Sequence, residues 1–161
     1  GLPIDEAIKR SIAVFQEVGE YAEKGGCAIG IEALPAPGCD FITCLREAFA
    51  LVSEINSRGV CLHLDTGAAE GANDQDIETS SLATLLANVQ SCQINDHELR
   101  PPGSAGHNLH DVWSQGLVSA NYKGWLAIEM RKESGGNISE HIHKAVEFVR
   151  DAYRTSLTGH V

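Results

Sequence analysis

Four oxygen-bearing side chains recur at equivalent points of four apolar runs: Glu32 in "CAIGIEAL", Asp65 in "VCLHLD", Gln93 in "VQSCQIN" and Glu129 in "GWLAIEM". Each stands near the carboxyl end of its run. Side chains of a strand alternate sides. Every run therefore has an apolar face: Ile29 and Ile31, Leu62 and Leu64, Cys92 and Ile94, or Leu126, Ile128 and Met130. The opposite face carries small and polar residues and leads to one of the four tips. An ionised carboxylate is costly to bury unless it is paired or binds a cation. Three converging carboxylates repel one another, and a hard divalent cation relieves that repulsion. Oxygen-only donors suit Mg²⁺ or Mn²⁺ better than Zn²⁺. The expected chemistry is that of a divalent metal held by Glu32, Asp65, Gln93 and Glu129. One polar residue at a strand end is ordinary; four on matching faces are what a site requires.

The elements that must position these tips alternate along the chain. Residues 4–24 carry Ile4, Ile8, Ile12, Phe15, Val18 and Ala22 at helical spacing, and Gly25-Gly26 stops the helix. A second helix is expected over residues 42–56, with Leu45, Ala48, Phe49, Val52 and Ile55 inward. Ser80 or Ser81 caps a third helix carrying Leu82, Leu85 and Leu86. The loop "ELRPPGSAGHN" leads to a fourth with Leu109, Val112, Trp113 and Leu117. Asn137 or Ser139 opens the last, and the tail after Tyr153 reads as a trailing end. The order α-βα-βα-βα-βα implies an α/β fold with a parallel sheet and right-handed crossovers. "GWLAIEM" reads as a buried strand like the others, Trp125 included.

The chain of 161 residues is long enough for one domain with a real core. Its formal net charge of −10 disfavours a nucleic-acid backbone or an anionic membrane as partner, but not a phosphorylated small molecule. No run is apolar enough to span a membrane and no signal peptide is visible. The five cysteines form no CxxC pair and read as small buried hydrophobes of a reducing cytoplasm.

The stretches "GIEALP", "LHLDTGA", "CQINDHELRPPG" and "YKGWLAIEMR" together resemble the C-terminal half of xylose isomerase-like TIM barrels, the sugar phosphate isomerase/epimerase superfamily. The resemblance covers nearly the whole chain. It implies a parallel (βα)4 half-barrel matching strands five to eight, one domain over residues 1–161 with an N-terminal helix (1–26). Carboxyl ends of barrel strands are where such enzymes build their sites. The family's metal ligands, Glu, Asp, His or Gln, and Glu, carry over onto Glu32, Asp65, Gln93 and Glu129. The implied reaction moves a proton next to a carbonyl of a sugar or sugar phosphate through a metal-stabilised enediolate, with Glu32 and Glu129 as base and acid. Two departures stand out. A histidine often found three residues after the aspartate is replaced by Ala68. Only four of eight βα units are present, so a second copy (a homodimer) or an N-terminal half-barrel is expected to cover the open edges.

Further candidates surround the tips. His63, one layer below Asp65, is a substrate contact, a group that orients a ligand, or a plain interior histidine. Arg100 and Arg131 are candidates to bind an anionic or hydroxylated substrate. His97 follows the third strand; His107 and His110 read as capping or surface residues, and His141 and His143 as surface residues of the last helix. A nuclease of the endonuclease IV type needs more histidine ligands and a basic surface, against which Gln93 and the charge of −10 argue. A dehydratase on the same site, or a non-catalytic half-barrel that binds metal or sugar, remains the competing reading.

Overall fold

The computed structural model describes residues 1–106, 108–132, 135 and 137–154. The helices are α1 (Ile4–Lys24), α2 (Leu45–Ile55), α3 (Thr66–Gly71), α4 (Thr79–Leu86), α5 (Asn108–Ser119) and α6 (Ile138–Ala152). The strands are β1 (Ile29–Ile31), β2 (Val60–Asp65), β3 (Val89–Ile94) and β4 (Leu126–Ile128). They form one parallel sheet in chain order, with Ile31 opposite Leu62, Asp65 opposite Gln93 and Ile94 opposite Ile128. The α/β class and the four-stranded parallel arrangement, resembling half of a TIM barrel, are as the sequence implies.

The apolar strand faces make the core. Leu62, Leu64 and Ile94 are fully buried with Leu82 and Leu86 of α4 and Trp113 and Leu117 of α5. Gly116 permits this contact, since a Cβ there would lie 2.7 Å from Leu86 Cδ1. Cys61 and Cys92 are buried, and burial pushes both thiols up, so they pack as small hydrophobes. All five cysteines are unpaired. Among the described residues no helix is long and apolar enough to cross a membrane.

Several elements depart from the sequence reading. The helix expected from residue 42 begins at Leu45, because the Glu47 carboxylate accepts from the Thr43 N–H at 2.7 Å and Asp74 Oδ2 from the Leu45 N–H at 2.8 Å. The loop after "VCLHLD" contains α3, capped by Asp65. β4 is not a buried strand. It is the sheet edge, with Leu126 and Ile128 only half-buried and Trp125 90% exposed, since among the described residues no further strand pairs with it. His110 is neither a cap nor a surface residue but 1% exposed, between Asp96 and a fully buried Tyr153. His107 and the tail from residue 155 onward lie outside the described residues.

Candidate metal centre

Asp65 ends β2 and is fixed from two sides. Its Oδ1 accepts from the Ala68 N–H at 2.7 Å and its Oδ2 from Asn95 Nδ2 at 2.9 Å. Asn95, one residue past β3 and 1% exposed, also accepts through Oδ1 from the Gly67 N–H at 2.6 Å. Thr66 Oγ1 donates to the Asn95 carbonyl at 2.7 Å and accepts from the Asn95 N–H at 2.9 Å. Gly67 is required by this closeness: a Cβ there would stand 2.4 Å from Asn95 Oδ1. The carboxyl ends of β2 and β3 are thus tied into one unit, with every buried polar group answered.

Gln93 is held on the same layer. His63 Nε2 stands 2.8 Å from Gln93 Oε1, and His63 Nδ1 stands 2.7 Å from Ser91 Oγ. Glu32 and Glu129 follow β1 and β4 directly. Neither carboxylate has a hydrogen-bond partner among the described residues, in contrast to Asp65 and Gln93. Partial burial pushes the Glu32 carboxyl up, the negative charges of Asp65 and then Glu129 add to that, and His63 pulls the other way.

All four tips line one cavity of about 600 Å³, together with Ala68, His97 and Leu99. Their donor chemistry fits a hard cation: oxygen atoms only, with the charges of Asp65 and Glu129 adding to the cost of ionising Glu32. They do not close on a common point. Among the described residues no group of three or more His, Cys, Asp or Glu side chains stands close enough to hold an ion.

The substrate candidates are distributed differently. His63, Arg100 and Arg131 are not among the residues lining the cavity. Both ring nitrogens of His63 are engaged by neighbours. Arg100 is exposed and donates from Nε to the His97 carbonyl at 3.0 Å. Arg131 is exposed, and its backbone N–H donates to the Leu99 carbonyl at 2.7 Å. His97, given no role on sequence grounds, does line the cavity. Its Nδ1–H donates to the Gly67 carbonyl at 3.2 Å and its backbone N–H to Glu70 Oε2 at 2.8 Å. That bond leaves Nε2 as the acceptor of a neutral ring. Gly71 provides the space, since a Cβ there would lie 2.6 Å from His97 Cε1. His143 is exposed and His141 half-buried.

A second buried frame shapes the loop beside the site. Asp96 Oδ1 accepts from the Gly103 N–H at 3.0 Å and stands 2.7 Å from His110 Nε2, while Oδ2 accepts from the Ala105 N–H at 2.6 Å. His110 Nδ1 lies 2.9 Å from the Tyr153 hydroxyl. Burial pushes the Asp96 carboxyl up, but the His110, Ala105 and Gly103 hydrogen bonds outweigh it and hold the group below the ordinary carboxylate range. Sequence reading passed over both Asn95 and Asp96.

Residues 1–152 match the family described as "Xylose isomerase-like TIM barrel". The chain belongs to that family. Solved structures similar to this xylose isomerase-like chain include D-psicose 3-epimerase with D-tagatose from Clostridium cellulolyticum H10 (TM-score 0.79, 18% identity, 95% of this chain and 58% of that one). L-ribulose 3-epimerase is another (TM-score 0.80, 17% identity, 97% and 57%). A third is the IolI protein with a bound zinc atom (TM-score 0.78, 20% identity, 98% and 60%). At these identities the likeness is one of fold. The chain spans between 57% and 60% of the length of these three structures. A comparison with curated proteins returned no match.

Proposed function

We propose that this chain acts in a divalent-metal-dependent isomerase or epimerase of a sugar or sugar phosphate, and corresponds to the C-terminal (βα)4 half, strands five to eight, of such a barrel. The observation that carries this reading is the opening of Glu32, Asp65, Gln93 and Glu129 onto one cavity at the same end of four adjacent parallel strands. These residues would hold Mg²⁺ or Mn²⁺ in preference to Zn²⁺. A cation held there would supply polarisation of a substrate carbonyl and a neighbouring hydroxyl.

The chain's own groups do the rest. A carboxyl raised toward working pH exchanges protons more effectively, so Glu32 takes the proton from carbon next to the carbonyl. Glu129, on the opposite edge of the sheet, returns one. Asp65, already bound by Ala68 and Asn95, serves only to hold. His97 Nε2 accepts from a substrate hydroxyl, a contact Ala68 has no group to make. Arg100 and Arg131 adjoin Leu99, which lines the cavity, and meet the far end or phosphate of a longer substrate.

The open sheet edges support a partner: a second copy of the chain or a further (βα)4 segment. The β4 side presents an apolar hollow of about 660 Å³ between Trp125, Leu126, Ile128, Val146 and Val149. The α1 side presents exposed Val14, Val18 and Tyr21. Five free thiols support residence in the reducing cytoplasm.

The test is a panel of ketoses and ketose phosphates assayed with added Mn²⁺, with subunit count and bound metal read by native mass spectrometry. Isomerisation that disappears in Glu129→Gln supports the reading; full turnover in that variant overturns it. A second reading, a non-catalytic half-barrel that binds metal or sugar, is favoured by tips that do not close on a common point. Metal binding without turnover in the assembled protein selects it.

A further inference from the structure

His63 connects two polar residues of the neighbouring strand, and both of its ring nitrogens are used in doing so. In a neutral imidazole one nitrogen donates and the other accepts. Ser91, at the other end of the connection, has a hydroxyl that can do either. Gln93 carries an amide with an acceptor on one side and a donor on the other. The three groups therefore share two consistent arrangements. In the first, His63 Nε2–H donates to Gln93 Oε1 at 2.8 Å and Nδ1 accepts from the Ser91 hydroxyl at 2.7 Å. The Gln93 oxygen is then spent on His63, and the amide nitrogen takes no part in the bond. In the second, Nδ1–H donates to Ser91 Oγ, Nε2 accepts from the Gln93 NH₂, and Oε1 is released to the cavity that Gln93 lines.

We propose that the Ser91–His63 pair is the positioning device for Gln93, and that metal binding switches it from the first arrangement to the second. Between the two arrangements the ring proton moves from Nε2 to Nδ1 by exchange with water, the serine hydroxyl rotates, and the amide turns over. An amide NH₂, its lone pair delocalised into the carbonyl, does not ligate a cation, whereas the carbonyl oxygen does. The pair thus decides whether Gln93 offers a metal ligand or a hydrogen-bond donor. The ring has room to sit between the strands because residue 30 is glycine. A Cβ there would stand 3.0 Å from His63 Cβ and 3.4 Å from Ser91 Oγ.

This inference rests on the metal reading of the site and is tested separately from it. Calorimetry of the full chain with Mg²⁺ establishes whether the ion binds. Long-range ¹H–¹⁵N correlation spectra of ¹⁵N-histidine-labelled protein report the tautomer of each ring, and a His63→Asn sample assigns the signal. The expected result is an Nε2–H tautomer without metal and an Nδ1–H tautomer at saturating Mg²⁺. Ser91→Ala, which removes the Nδ1 acceptor, is expected to weaken Mg²⁺ binding about tenfold while Ser91→Thr restores it, as outer partners of ligands do. Mg²⁺ binding with no change of tautomer overturns the switch and leaves the metal reading standing. No binding of Mg²⁺ or Mn²⁺ overturns both.

Discussion

The inner and outer strands of this sheet end differently. β2 and β3 run six residues each and β1 and β4 three. The inner pair ends in Asp65, Thr66, Gln93 and Asn95, whose side chains are bound to one another, to backbone or to His63. The outer pair ends in Glu32 and Glu129, whose carboxylates take no hydrogen bond among the described residues. Asp65, bound through both oxygens, is fixed beforehand, as suits a group that holds an ion. A group that exchanges a proton must keep a lone pair available. Under the proposed function, the inner pair only holds, whereas the outer pair holds and also exchanges protons.

The largest expected effect tests the outer pair. Glu32→Gln and Glu129→Gln are each expected to lower turnover of the assembled enzyme about a thousandfold, or about 4 kcal/mol, the range for loss of a general acid or base. Neither carboxylate supports the fold through a hydrogen bond among the described residues, so the unfolding free energy from urea titration should shift by less than about 0.5 kcal/mol. A large loss of stability with little loss of turnover reverses the assignment of roles. The inner pair should answer in the opposite sense. Asn95→Ala leaves Asp65 Oδ2 and the Gly67 N–H without partners in a buried place. The expected cost is about 3 kcal/mol of unfolding free energy by urea titration, from two stranded polar groups.

How much of this was legible in the sequence follows from the same contrast. Strand periodicity and the apolar faces are local properties, and the four strands, their order and their polar tips could be read from them. Asn95 lies on the same strand face as Gln93, but its partner, the Gly67 N–H, is 28 positions away. No local pattern announces such a bond. His110 failed for the same reason: it stands near a helix start, but Asp96 and Tyr153 remove it from water across 14 and 43 positions. Trp125 failed in the other direction. Its run has the composition of a buried strand, and burial depends on a neighbour that periodicity cannot supply.

A smaller effect, on pH, sharpens the account of the loop beside the inner pair. Asp96 is depressed in the folded state by His110, Ala105 and Gly103, with Tyr153 behind the imidazole. Its contribution to stability is complete above the ordinary carboxylate value and is lost as pH falls through the lower folded value. Asp96→Asn should therefore be less stable than the parent protein by about 2 kcal/mol at neutral pH, the scale of hydrogen bonds to a charged group. The gap should close in strongly acid solution, as followed by chemical unfolding at successive pH values. A gap that stays constant from neutral to acid shows that packing, not charge, sets the loop.

The smallest effect on the single chain discriminates best at the outer edge. Trp125 is 90% exposed, and its position depends on backbone, since the Tyr122 hydroxyl donates to the Trp125 carbonyl at 2.8 Å. Trp125→Ser leaves that bond in place, so the unfolding free energy of an isolated chain should change by no more than about 0.5 kcal/mol. An indole buried by a strand or helix of a partner contributes far more, because large aromatic side chains dominate interface energy. Sedimentation velocity across a concentration series separates the two. A self-associating parent protein that becomes monomeric in Trp125→Ser places the partner on the β4 edge. Unchanged self-association directs attention to α1, where Val14, Val18 and Tyr21 are exposed.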